Sequence, residues 1–185
     1  HRYGVTKESE IGAKIDIWGI GTKLVTAYDQ PALGGVYKLA ALQNERGAWE
    51  YKIKLSEQAI KVSTPGIQQV RRYKDKNGFI SDMIYNTEFP LKEKSKMIDP
   101  YDFTRNRSFD ADLEYEDLLV PIFEKGQLVY AQPTIHETKK RVQDQLAYFH
   151  KGIKRFVHPH TYPVGLEEGL FDLKTNLILA LRANQ

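Results

Sequence analysis

Apolar residues recur along this chain with two rhythms: every second position through much of the first half, and every third or fourth position toward the end. From Ala13 to Ile20 the residues alternate in character, are rich in isoleucine and end in Gly19-Ile20-Gly21-Thr22, which predicts a strand running into a glycine turn. Val36 to Leu42 and Trp49 to Leu55 predict two strands joined as a hairpin through the polar Asn44-Glu45-Arg46-Gly47. After the breaker Thr64-Pro65-Gly66, a further strand is predicted over Ile67 to Tyr73. Asp75-Lys76-Asn77-Gly78 follows as a turn, and Phe79 to Tyr85 as the next strand. The stretch from Pro90 to Ser108 is polar, charged and interrupted by Pro90 and Pro100, without a sustained period, and reads as an irregular surface connection.

The rhythm then becomes helical. Thr134-Ile135-His136-Glu137 has the pattern of a capping box, in which the threonine hydroxyl accepts from the glutamate amide and the carboxylate reaches back to the threonine amide. Behind it Val142, Leu146, Phe149 and Ile153 form an apolar stripe expected to be buried. Pro159 and Pro163 interrupt the chain, and Leu166, Leu170, Leu173, Leu177 and Leu181 predict a last amphipathic helix packed against its predecessor. The resulting order is a strand and glycine loop over 1–30, an antiparallel β region over 31–90, an irregular connection over 91–133 and C-terminal helices over 134–185.

Composition narrows the function classes. The 185 residues, 41% hydrophobic and 28% charged, are those of a folded globular chain. A formal net charge of +3 is well short of the clustered basic excess of a nucleic-acid binder, though it leaves room for a local anionic ligand. The absence of cysteine removes disulfides and thiolate chemistry and fits a cytoplasmic protein. No apolar stretch approaches the roughly 20 residues of a membrane-spanning helix. The chain begins at His1 rather than methionine, which suggests a processed, trimmed or partial polypeptide.

The clearest candidate chemistry is Gly19-Ile20-Gly21-Thr22. Glycines let backbone amides approach an anion closely and a threonine hydroxyl adds a donor, so the segment has the make-up of a phosphate cradle; four such residues serve equally well as a tight turn. Asp16 and Asp29 flank it and could orient a hydroxyl or hold magnesium through water, or cap a turn. Lys54 and Lys61, with Ser56 nearby, read by themselves as ordinary solvated lysines on strand edges. His158 and His160 have no accompanying ligand cluster in the sequence and read as packing residues; no metal site is assigned.

Context gives the glycine loop its meaning. The segment from Ala13 to Thr26 leads directly into Asp29-Gln30-Pro31-Ala32-Leu33-Gly34-Gly35-Val36-Tyr37-Lys38-Leu39. Lys54-Leu55-Ser56, Lys61, Thr64-Pro65-Gly66, Leu118-Leu119-Val120-Pro121 and His158-Pro159-His160-Thr161-Tyr162-Pro163-Val164 follow. Together they resemble the C-terminal part of the nicotinate phosphoribosyltransferases, over nearly the whole chain from about Gly12.

The resemblance implies an α/β fold, the C-terminal part of an incomplete (β/α) barrel of the type II phosphoribosyltransferase kind, with an antiparallel β region and C-terminal helices. It implies that the β region over 31–90 contacts the other domain, that Gly19, Gly21 and Thr22 bind the 5′-phosphate of phosphoribosyl pyrophosphate and of the mononucleotide product, that Lys54 and Lys61 are candidates to help surround anionic groups, and that the reaction uses nicotinate, ATP and Mg2+ in NAD biosynthesis. The family's phosphorylated histidine and the arginine that meets the nicotinate carboxylate have no matching context here. A missing N-terminal portion and a homodimer partner are therefore expected, and the chain by itself is expected to be inactive. The alternatives are a noncatalytic assembly or regulatory module derived from the family, or a nicotinamide- or quinolinate-using relative.

Overall fold

The computed structural model describes residues 17, 19, 21–29, 31–32, 35–155 and 157–183. The chain divides into two compact units, His1–Tyr37 with Lys151–His160, and Lys38–His150 with Thr161–Gln185. In the first unit the regular element among the described residues is α1, Thr22–Val25. The strand expected over Ala13 to Ile20 lies outside the described residues except at Ile17 and Gly19.

The second unit opens with a hairpin of β1 (Ala41–Gln43) and β2 (Trp49–Tyr51), antiparallel with Leu42 opposite Glu50. Gly47 takes φ 79° in its turn, and the Asn44 carboxamide accepts from the amides of Arg46 and Ala48. The hairpin is where the sequence predicts it, with strands about half the expected length. A loop carrying a 3-10 turn over Ala59–Lys61 leads to Thr64-Pro65-Gly66. Gly66 adopts φ 96°, and the space a side chain would need is filled by the fully buried carboxamide of Asn86, whose Oδ1 accepts from the Ile67 amide at 3.1 Å. The backbone conformation therefore favours glycine, and a side chain there would also press on Asn86.

The central sheet contains β3 (Gln68–Asp75), β4 (Gly78–Asn86), β5 (Ser95–Ile98), β6 (Asn106–Phe109), β7 (Tyr115–Asp117) and β10 (Val164–Glu167). Their order is β6-β5-β10-β4-β3-β7, and every neighbouring pair is antiparallel except β10 with β4. The sheet is curled into a half-barrel. β4 is buried along most of its length, as a strand covered on both faces should be. The aromatic and sulfur-containing residues Tyr73, Met83, Met97 and Phe109 form the core, with Tyr73 stacked on Phe109 at 4.0 Å between ring centroids. Beyond β7 the Gln69 carboxamide acts as a substitute strand partner, donating to the Leu119 carbonyl at 3.0 Å and accepting from its amide at 2.9 Å. A small hairpin of β8 (Phe123–Glu124) and β9 (Gln127–Leu128) follows.

Helix α2 (Ile135–Tyr148) begins in the predicted capping box, with Thr134 Oγ accepting from the Glu137 amide and the Glu137 carboxylate accepting from the Thr134 amide at 2.7 Å. Helix α3 (Glu168–Ala183) follows β10 without a break. The buried Glu167 carboxylate accepts from the Leu170 amide at 3.2 Å, satisfying one of the amides a helix start leaves open.

Four expectations are corrected. The stretch from Pro90 to Ser108, read as irregular along with the rest of 91–133, contains β5 and most of β6, and Ser95, Met97, Ile98 and Phe109 are buried. Four-residue strands are too short for a period to show, and their burial comes from partners distant in sequence. The span 134–185, read as helices, also holds β10. The stripe Val142, Leu146, Phe149 and Ile153 is buried only in part: Val142 is 53% exposed and Leu146 48%, while Phe149 and Ile153 are half-buried. Finally, α3 packs on β4, β5 and β10, and α2 meets β4, so each helix docks on the sheet rather than on the other helix.

Candidate functional site

In the first unit Gly21 caps α1 in an extended conformation, φ −92° and ψ −176°, and its carbonyl accepts from the Leu24 amide at 3.1 Å. The first turn of a helix leaves amide hydrogens without acceptors inside the helix, and here Gly21 provides no side chain to take them. Gly19, Gly21 and Thr22 are all exposed, and a Cβ added at either glycine would meet nothing within 4 Å. Thr22 holds the turn through its carbonyl, which accepts from the Thr26 amide and hydroxyl, each at 2.9 Å. Its own hydroxyl has no partner among the described residues. The loop thus combines amide donors, one available hydroxyl and open space, the requirements for holding a phosphate. Lys23 is turned onto the ring of Tyr28, 4.8 Å from its centroid.

Asp29 lies on the same turn segment and is exposed; Asp16 lies outside the described residues. His158 and His160 are also exposed, so the packing role expected of them is not realised. His158 adopts φ 47° with its carbonyl taken by Arg155, and the His160 amide donates to the Gly152 carbonyl. No group of three or more metal-binding side chains occurs among the described residues.

Lys54 and Lys61 belong to the second unit and lie on one loop. The Lys54 amide donates to Ser63 Oγ at 2.7 Å, and its carbonyl accepts from the Ser63 amide at 3.1 Å, so the loop is closed at its base. Both lysine side chains are exposed, as the solvated reading requires. Lys174, which no sequence signal singled out, is half-buried beside the end of this loop with its Nζ 3.2 Å from Thr64 Oγ. Burial holds its ammonium below the usual lysine value.

Two adjacent arginines on β3 were also not singled out, and both are paired with carboxylates. Arg71 makes a bidentate pair with Asp117, both bonds 2.9 Å, stacks over Tyr115 at 3.6 Å and shares Asp117 with the Tyr85 hydroxyl. Arg72 makes a bidentate pair with Asp82 at 2.8 and 2.7 Å, donates to Gln145 of α2 and lies over Phe79; the Tyr162 hydroxyl completes the shell of Asp82 at 2.9 Å. Consecutive side chains on a strand point to opposite faces, so Arg71 and Arg72 place one cation on each face of β3. Each guanidinium is thus neutralised by its own carboxylate.

Hydrogen bonding from Arg71 holds the Asp117 carboxyl below its ordinary value of 3.8, against the opposing effect of burial. A depressed folded-state value contributes stability that is present above the ordinary carboxylate range and is lost as pH falls through the folded value. Asp117→Asn should therefore lower stability by about 1–3 kcal/mol near neutral pH, and the difference from the parent should shrink in acid, as pH falls through the folded value and the parent carboxylate takes up its proton. Denaturant titrations near neutral pH and in acid check this; a difference that persists undiminished in acid would show that shape, not charge, holds the pair.

The family model described as "Nicotinate phosphoribosyltransferase C-terminal domain" matches residues 67–174. The nicotinate phosphoribosyltransferase of Bacillus subtilis (strain 168) is 39% identical over 171 residues, covering 90% of this chain and 34% of that protein. That of Dictyostelium discoideum is 31% identical over 179 residues, covering 91% of this chain and 29% of that protein. The crystal structure of human nicotinic acid phosphoribosyltransferase aligns with a TM-score of 0.56 at 22% identity, over 71% of this chain and 27% of that one. At that identity the likeness establishes the fold, which is the type II phosphoribosyltransferase-like α/β fold expected from the sequence. The chain spans about a third of the length of the curated relatives it matches. On this evidence the chain belongs to the nicotinate phosphoribosyltransferase C-terminal domain family.

Proposed function

We propose that this chain is the C-terminal part of a nicotinate phosphoribosyltransferase, which makes nicotinate mononucleotide and pyrophosphate from nicotinate and phosphoribosyl pyrophosphate with ATP hydrolysis, in NAD biosynthesis. Gly19, Gly21 and Thr22 hold the 5′-phosphate. The observation that carries this role is the exposed turn at the start of α1, where two glycines leave open space in front of backbone amides and the Thr22 hydroxyl has no protein partner among the described residues. In this role the loop is a positioning device: amides fixed on one phosphate hold the ribosyl group still while bonds change elsewhere. Lys54 and Lys61 are secondary candidates, exposed and able to reach an anion in solvent.

The described residues do not fit a magnesium site, since no cluster of carboxylates or histidines is present among them. Magnesium and ATP are accordingly assigned no residue here, and the reacting groups belong to other parts of the protein. The exposed Phe123, Leu128 and Val142, 67%, 62% and 53% accessible, support a requirement for a covering partner, supplied by the rest of the enzyme and a second copy in a homodimer. No helix among the described residues is long and apolar enough to cross a membrane, and a cytoplasmic location fits NAD synthesis.

The test is titration calorimetry of the chain with nicotinate mononucleotide, repeated on Thr22→Ala. Loss of one donor to a phosphate should weaken binding by about tenfold or more. Binding of equal strength in the variant would remove Thr22 from the site, and no binding by a demonstrably folded chain would mean that the loop alone does not hold the nucleotide.

A further inference from the structure

A cavity of about 510 Å³ lies in the second unit between the loop over 99–105, β6 and the entry to β10. None of its lining residues is among those assigned above to phosphate binding. Small-molecule sites fall in a range of about 300–1,000 Å³. Met97 and Pro163 give it apolar wall, Tyr101 an aromatic ring, and Arg105 and Arg107 its charge.

The charges do not cancel. Arg105 is paired to Asp102 on its own loop, with Nε 3.1 Å from the carboxylate. Asp99, the carboxylate in the lining, has its Oδ1 engaged by the amides of Tyr101 and Asp102, at 2.8 and 3.3 Å. Arg107 has no ion-pair or hydrogen-bond partner for its side chain among the described residues. An arginine fork with no carboxylate partner, beside one that is only locally paired, suits an oxyanion that can accept two parallel bonds.

The ring is preorganised. Besides the two bonds from Asp99, the loop is closed by the Asp99 amide on the Arg105 carbonyl at 3.0 Å and the Arg105 amide on the Asp102 carbonyl at 2.9 Å. Tyr101 nevertheless leaves 62% of its surface exposed and stacks on no other ring among the described residues. A loop closed by its own hydrogen bonds that presents an aromatic face on the lining of a cationic cavity loses little entropy when a planar group stacks on it. The cavity is far larger than a bare phosphate needs, and its apolar wall would be wasted on one.

We propose that this cavity binds a nucleoside monophosphate, with the base stacked on Tyr101 and the phosphate held by Arg107 with help from Arg105. The site is independent of the glycine loop and of the function proposed above, and the two can be tested apart. AMP is titrated into the full chain by calorimetry, with inorganic phosphate as a second titrant, and the titrations are repeated on Arg107→Gln, Tyr101→Ala and Thr22→Ala. Thermal unfolding of each variant shows whether it is folded.

AMP should bind more tightly than phosphate, and Arg107→Gln and Tyr101→Ala should each weaken it by about tenfold or more, whereas AMP held by the glycine loop instead would be lost in Thr22→Ala and kept in Tyr101→Ala. Tyr101 lies on the exposed loop, so its variant reads the site even where a change on β6 disturbs folding. The proposal is overturned if the folded chain does not bind AMP at millimolar concentration, if phosphate binds as tightly as AMP, if the Tyr101 variant binds like the parent, or if Thr22→Ala abolishes binding.

Discussion

Gly78→Ala should destabilise the second unit by roughly 3–5 kcal/mol and lower its thermal midpoint by about 10 °C or more. Two independent effects act at this position. Gly78 closes the β3–β4 turn with φ 122°, a conformation that L side chains rarely adopt, and a methyl group there would fall on the carbonyl oxygen of Tyr148 at the end of α2. The obstacle is backbone, which cannot rotate away as a side-chain tip would. Either the turn must open, disturbing the long central pairing of β3 with β4, or the last turn of α2 must lift off Phe79, whose ring lies 5.1 Å from Phe149 and 5.2 Å from Tyr148. Differential scanning calorimetry of the variant checks the loss. A midpoint within about 2 °C of the parent would mean that the turn relaxes at small cost and that α2 is not seated on it as described.

The second large effect is the reverse in kind, a loss of binding without a loss of fold. Gly21→Val should reduce affinity for nicotinate mononucleotide by about a hundredfold while moving the thermal midpoint by no more than about 2 °C. Gly21 has an ordinary negative φ, and a side chain added there meets nothing, so the chain itself does not require glycine. Only a ligand approaching the amides closely would require it. Calorimetric titration and a melting curve on one preparation separate the possibilities. Unchanged affinity would remove the phosphate role from this loop, whereas a collapsed midpoint would show that the glycine serves the fold.

Much of the architecture follows from short-range chemistry and was legible in the residues. The β1–β2 hairpin, the two long strands and the turn between them lie where the polar and glycine-bearing connections break the alternating segments. The start of α2 is set by a reciprocal bond between Thr134 and Glu137, three residues apart, and needs nothing from the rest of the chain. The resemblance in the glycine loop and its flanks likewise pointed to the family without any tertiary information.

Tertiary structure alone decided the remainder, because the partners involved are far apart in sequence. β5 and β6 are strands because β10, some 70 residues later, lies against β5: Leu166 stands opposite Ile98 in that ladder. The pairing of Arg71 with Asp117 spans 46 residues, and the Tyr162 hydroxyl reaches Asp82 across 80, so neither network has a local signature. Periodicity in α2 identified an apolar face but not what covers it, since amphipathicity records a preference for burial and not the presence of a neighbour. The sequence by itself determined the local elements and the family; the curled sheet, its buried ion pairs and the cavity beside β10 required long-range contacts to bring their residues together.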